Sequence, residues 1–288
     1  MVAPKISPVT GHYVDVDVAD VTYQVFYLHN GTGIPLLCQH TAGCHNHQYR
    51  NLLRDPAVTE RFQVIAYDLP YHGKSDPPNG EQWWTRQYDL TAEFFQEFVV
   101  NFARTLELDR PVFMGSSMGG VVALHLARDH SEKFRALIAL EAADYTPGFY
   151  LDWWHHPAVE DGSVAASVIE GLIAPQTSEL DRRLTMHYYA QAAPGVLKGD
   201  LYFYSVEHDM RETVSEIDTS KVPLYLLTGE YDYLSTPTQT IATAEKIVGA
   251  KVETMCEIGH FPMSENHDTF MTYLRPILDE IAERHKEP

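Results

Sequence analysis

The stretch 112–127 most constrains what this chain can fold into. An apolar run at 112–114 leads through Gly115-Ser116-Ser117-Met118-Gly119 into the apolar-periodic segment Val121-Val122-Ala123-Leu124-His125-Leu126-Ala127. An extended segment must become a helix within a few residues, with Gly-x-Ser-x-Gly spacing centred on Ser117. Such a turn strains the backbone of its central residue and leaves no room for side chains at Gly115 and Gly119. The Ser117 hydroxyl then projects from a sheet edge, and the Met118 N–H points into the same space from a helix N-terminus. Taken alone, these letters also suit a helix that merely starts on a capping serine. The rest of the chain separates the two readings.

Around this turn the chain alternates strands and helices. Residues 12–29 read as a hairpin with its turn near Ala19 and Asp20, because both arms are β-branched, aromatic and alternating. Continuous apolar runs at 34–39, 62–67, 112–114, 137–140, 222–228 and 252–258 predict strands buried on both faces. Helical periodicity falls at 48–53, 88–106, 118–127, 237–248 and 266–283. Strands separated by helices imply parallel βαβ units, hence an α/β fold with a mostly parallel sheet flanked by helices on both faces. Between 144 and 218 the rhythm breaks. That segment concentrates Trp153, Trp154, Tyr188 and Tyr202-Phe203-Tyr204, with helical patches at 165–173 and 179–189 and no strong buried strand. The expected organisation is a core of 1–143 and 219–288, interrupted by a helical, aromatic lid at 144–218.

Bulk properties exclude several function classes. A formal charge of −19 on 288 residues argues against nucleic acid and against anionic membranes, which both reward clustered Lys and Arg. Three cysteines without framework spacing, and an N-terminal stretch 1–8 without an apolar signal core, lead to a cytoplasmic expectation. The expected partner is a small-molecule substrate, and a homodimer is left open.

A serine hydroxyl is a poor nucleophile unless a general base takes its proton and a carboxylate orients that base. Asp232 lies in Gly229-Glu230-Tyr231-Asp232, just past the 222–228 strand. His260 follows Gly259 after the last strand. Three strand ends thus supply Ser, Asp and His in the order Ser117, Asp232, His260. Among fifteen histidines, His260 is singled out by its strand-end position; Glu230, Glu141 and Asp144 compete with Asp232 for the acid. The loop His40-Thr41-Ala42-Gly43-Cys44-His45-Asn46-His47 is the expected source of a second oxyanion donor, with Ala42 preferred over Thr41. The same loop is rich in metal ligands, but its spacing fits no closed zinc pattern, so no metal and no cofactor are expected.

With these motifs assembled, the chain resembles the α/β-hydrolase fold superfamily over nearly its whole length. The resemblance rests on Gly115-x-Ser117-x-Gly119, the loop Asp68-x-x-x-His72-Gly73-x-Ser75-Asp76, Gly229-x-x-Asp232 and Gly259-His260. It implies a Ser117–His260–Asp232 triad, Met118 and Ala42 as oxyanion donors, and an acyl-enzyme route on a small or medium, apolar or aromatic carboxylic ester. Thr41, Trp153, Trp154, His155 and Tyr188 are candidate substrate contacts, because flat rings stack on aromatic walls. Three alternatives stand beside the esterase: a carbon–carbon bond hydrolase of a ring-cleavage product, a hydroxynitrile lyase-like enzyme (similar in its His40-Thr41 start) and a non-catalytic small-molecule receptor. The serine disfavours epoxide hydrolase and haloalkane dehalogenase chemistry, which needs a carboxylate nucleophile.

Overall fold

Eight strands form one sheet in the order β1-β2-β4-β3-β5-β6-β7-β8. They are β1 (Thr10–Val18), β2 (Val21–Asn30), β3 (Ile34–Gln39), β4 (Phe62–Tyr67), β5 (Val112–Ser116), β6 (Ala136–Leu140), β7 (Leu224–Gly229) and β8 (Lys251–Met255). This computed structural model describes residues 7–88, 90–156, 159 and 162–286. The 1–6 part of the stretch read for a signal core, and Asp89 within the helix expected at 88–106, lie outside them. β1 and β2 form the antiparallel hairpin, β2 pairs antiparallel with β4, and every later pairing is parallel. Ala19 and Asp20 close the hairpin at φ 47° and 64°, the left-handed pair that a two-residue loop needs to match strand twist.

The helices are α1 (Pro56–Thr59), α2 (Ala92–Thr105), α3 (Met118–Asp129), α4 (Gly162–Glu170), α5 (Glu179–Tyr189), α6 (Val196–Tyr202), α7 (Pro237–Glu245), α8 (Pro262–Glu265) and α9 (His267–Lys286). Successive strand residues point to opposite faces, so adjacent side chains belong to separate cores. Leu37, Phe113 and Leu137 pack toward α2 and α3, whereas Leu36, Met114 and Ile138 pack toward α9. Both faces are covered, which is why the strands read as continuous apolar runs. Among the described residues no helix is long and apolar enough to cross a membrane.

Several sequence expectations shift locally. The helix expected at 48–53 is instead two short 3-10 turns, Asn46–Tyr49 and Leu52–Arg54, before Pro56 starts α1. The helix expected from residue 88 begins at Ala92, where the Thr91 hydroxyl accepts from the Phe94 amide. The last strand ends at Met255 rather than continuing to 258, because Glu257 takes φ 58° and turns the chain. Helix α6 and the π-helical turn Phe203–Glu207 behind it went unread. Their residues are buried on most sides, so no polar stripe betrays a helical period.

The segment 144–218 lies between β6 and β7 and carries α4, α5 and α6. Its return to the sheet is tied to α3 by two buried imidazoles. His208 Nε2 donates to the Ala143 carbonyl at 2.8 Å, and His125 Nε2 donates to His208 Nδ1 at 3.1 Å. Burial lowers both from 6.5, His125 to about 3 and His208 to about 4. A lowered folded-state value means the unfolded chain binds more protons below about pH 6.5, so this contribution to stability is present above that pH and lost as pH falls. We expect the stability difference between the wild type and His125→Phe to shrink by about 2 kcal/mol between pH 7 and pH 5. Urea titrations at the two pH values measure it. An unchanged difference would mean that the folded ring takes up its proton as readily as the unfolded chain does.

Candidate functional site

Ser117 sits where β5 turns into α3, at φ 55° and ψ −114°, a left-handed conformation that costs a non-glycine residue energy. The surroundings hold it there. Its amide donates to the Leu140 carbonyl of β6 at 2.9 Å, and its carbonyl accepts from the Val121 amide at 2.9 Å. A Cβ at Gly115 would stand 2.1 Å from the Gly119 carbonyl oxygen, and one at Gly119 would stand 2.9 Å from the Gln39 carbonyl oxygen. Both glycines are therefore required by close backbone approach rather than by helix packing alone. As the first residue of α3, Met118 has an amide without an intrahelical acceptor.

The structure brings Asp232 and His260 together. His260 Nδ1 donates to Asp232 Oδ1 at 2.9 Å, and the Leu234 amide donates to the same oxygen at 2.8 Å. Both side chains are almost wholly buried. Burial alone would raise the Asp232 pKa, but the adjacent His260 and the hydrogen bonds from His260, Glu141 and Leu234 carry it below the usual value. With Nδ1 committed to the carboxylate, the ring leaves Nε2 for a reacting group.

Behind this pair lies Glu141, at the end of β6 with φ 51°. One atom each of Glu141, Asp232 and His260 fall within 4.8 Å of one another. The Glu141 carboxyl accepts from the Gly229 amide at 2.9 Å and the Thr228 hydroxyl at 3.2 Å. Burial first, and then the charge of Asp232, push its pKa well above the carboxylate range. Glu141 thus faces Asp232, and it is Asp232 that bonds His260. Asp144 is drawn away by Lys246, at 2.5 Å. Glu230 receives the Glu257 amide at the rim.

The turn carrying His260 is held by a carboxylate that the sequence reading missed. Glu265 Oε1 accepts from the Gly259 and Phe261 amides, each at 2.9 Å, while Oε2 accepts from the Ala174 amide at 2.7 Å. Its place in the short turn before the helix expected at 266–283 made it look like an ordinary surface acid. Tyr204 was also missed as a site residue. Its buried phenol bonds the Ser235 hydroxyl at 2.8 Å and lies beside the Ser117 hydroxyl.

In the 40–47 loop, His40 Nε2 accepts from the Leu69 amide at 3.1 Å, and His40 Nδ1 donates to the Thr41 carbonyl at 2.8 Å. The Thr41 amide donates to Gln48 Oε1 at 3.0 Å, and the Thr41 hydroxyl pairs with that of Tyr189. Among the described residues the Ala42 amide has no acceptor. The ligand-competent side chains here do not converge; His45, for instance, stacks edge-on to Tyr188 at 5.2 Å. The one group of described residues with ligand atoms close enough for a metal is Glu141, Asp232 and His260, two of which are joined by the His260–Asp232 hydrogen bond.

The candidate substrate contacts are dispersed. Trp154 is buried, donates its indole N–H to the Phe149 carbonyl at 3.1 Å, and stacks on the half-exposed Trp153 at 4.1 Å. It lines a small cavity inside the 144–218 segment with Ala165 and Leu197. His155 packs edge-on to Tyr150, and Tyr188 lies under Arg50 at 5.5 Å.

A family model described as alpha/beta hydrolase fold matches residues 34–172. Haloalkane dehalogenase 2 of Mycobacterium tuberculosis is 30% identical over 115 residues, covering 40% of this chain and only 37% of that protein. The 2-hydroxymuconate semialdehyde hydrolase of Pseudomonas sp. CF600 is 22% identical, with 97% of this chain and 98% of that protein aligned. The solved structure of a thermophilic esterase from Thermogutta terrifontis superposes with a TM-score of 0.79 at 19% identity, covering 94% of this chain and 99% of the other. Sheet order, serine turn and matches agree: the chain has the α/β-hydrolase fold.

Proposed function

We propose that the chain is a serine hydrolase that cleaves a small or medium carboxylic ester through an acyl-enzyme. The observation that carries this reading is the buried His260–Asp232 hydrogen bond of 2.9 Å, on loops at the same sheet edge as the strained Ser117 turn. Ser117 Oγ gives its proton to His260 Nε2 and forms a bond to the substrate carbonyl carbon. The Met118 and Ala42 amides take the oxyanion. The bond to the alcohol oxygen then breaks, and that oxygen leaves with the proton from His260. Water repeats the sequence to release the acid and restore Ser117. We read 144–218 as a cap over the carboxyl edge of the sheet, where ligands of open α/β folds bind. Thr41, in the oxyanion loop, and Tyr188, on the cap beside it, are the contacts this reading retains; Trp153, Trp154 and His155 pack within the cap.

A fluorophosphonate that labels Ser117, together with turnover on a panel of aryl and alkyl esters, tests the proposal. No label at Ser117 would defeat it. A second reading, a carbon–carbon bond hydrolase using the same groups, is favoured by the match over 97% of the chain to a 2-hydroxymuconate semialdehyde hydrolase. Faster cleavage of a vinylogous diketone than of any ester would select it.

A further inference from the structure

Asp200, on α6, is buried with its carboxylate facing away from solvent and toward three loops of the core. The Gly43 amide donates to Oδ2 at 2.7 Å, and His72 Nε2 meets the same oxygen at 2.8 Å. The Tyr88 hydroxyl donates to Oδ1 at 2.9 Å. His72 Nδ1 donates in turn to the Pro70 carbonyl at 2.9 Å, so both ring nitrogens act as donors. Burial works against that charge, yet the Asp200 carboxylate holds the His72 pKa above its ordinary value. A buried ion pair is weak support for stability, because desolvation offsets most of the attraction. What it does supply is fixed geometry.

The geometry is fixed next to the proposed oxyanion donor. Thr41 and Gly43 flank Ala42, and the amides of both are tied, one to Gln48 and the other to Asp200. Helix α6 also lies directly on the loop. Gly43 is at φ 65°, and a Cβ there would stand 2.8 Å from the Leu197 Cβ.

We propose that Asp200 is a positioning residue, which sets the Ala42 amide through its bond to the Gly43 amide. The 144–218 segment thereby completes the oxyanion hole, and α6 stays seated on the loop throughout turnover. The inference rests on the reading of Ala42 as an oxyanion donor.

Asp200→Asn tests it. The side-chain shape is kept but the charge is removed, so the neutral amide oxygen holds the Gly43 N–H and the His72 ring more weakly than the carboxylate does. The expected result is a kcat loss on the order of 10²-fold, the scale for an oxyanion-hole donor, with KM within about threefold. Affinity for a trifluoromethyl ketone, whose serine adduct carries the oxyanion, should fall by the same factor as kcat. Retained kcat would overturn the inference, as would a kcat loss that leaves ketone affinity untouched. If Asp200→Asn does not fold, Asp200→Glu carries the test: it keeps the charge but shifts the carboxylate by one methylene off the Gly43 amide, and must lower kcat and ketone affinity together. A wild type that fluorophosphonate does not label takes down both proposals. A wild type and Asp200→Asn labelled at the same rate take down the positioning role alone.

Discussion

Ser117→Ala is expected to lower kcat on the preferred ester by roughly four to six orders of magnitude, while the protein unfolds at nearly the wild-type temperature. Alanine accepts the strained φ of 55° no worse than serine does, and the Ser117 amide and carbonyl keep their bonds to Leu140 and Val121. The loss is therefore one of chemistry rather than of fold. Only catalysis by the oxyanion donors and by binding would remain. Ser116 supplies the contrast. Its hydroxyl is buried at the end of β5 with no partner among the described residues, so Ser116→Ala removes no bond and should cost far less activity. Rates of both variants on an aryl ester, set beside their melting curves, decide the matter. Near-normal turnover by Ser117→Ala would be fatal to the nucleophile assignment.

Asp232→Asn should be nearly as damaging, by about 10⁴ in kcat, because an amide facing His260 Nδ1 favours the wrong imidazole tautomer. The structure sharpens the comparison with Glu141. Burial and the charge beside it push the pKa of that carboxyl well above the carboxylate range. Glutamine can accept from the Gly229 amide and still donate toward Asp232, so Glu141→Gln should stay within about tenfold of wild type. Glu141→Leu removes the donor facing Asp232 and should fall between the two. If Glu141→Gln proved worse than Asp232→Asn, the orienting charge would sit on the β6 strand end, and the two carboxyls would exchange roles. Measuring kcat across pH for all three variants also shows whether the basic group responds to the lost carboxylate.

Much of this architecture was legible before any coordinates. Continuous apolar runs marked the strands at 34–39 and 62–67, because strands covered on both faces admit no polar alternation. Gly115 and Gly119 announced a turn too tight for side chains, and the order of Ser117, Asp232 and His260 along the chain put three chemical types at three strand ends. Local chemistry writes itself into local sequence, so strand, helix and turn could be read, and with them the residues placed at strand ends.

Contacts between distant segments left no such trace. That Glu141 faces Asp232 across adjacent strands, that Glu265 cradles the His260 turn, and that Asp200 reaches the Gly43 amide are consequences of register and packing. An Asp at position 200 and a Glu at position 265 look in sequence like any other surface acid. Only folding brings them under converging amides, where burial makes each hydrogen bond decisive. The sequence by itself therefore determined the sheet, the serine turn and the chemical types at the strand ends. The tertiary structure alone decided which carboxyl bonds the histidine, which lies behind that pair, and which bonds the Gly43 amide beside Ala42. Charge state and orientation depend on what surrounds a group in space, and chain order does not specify that.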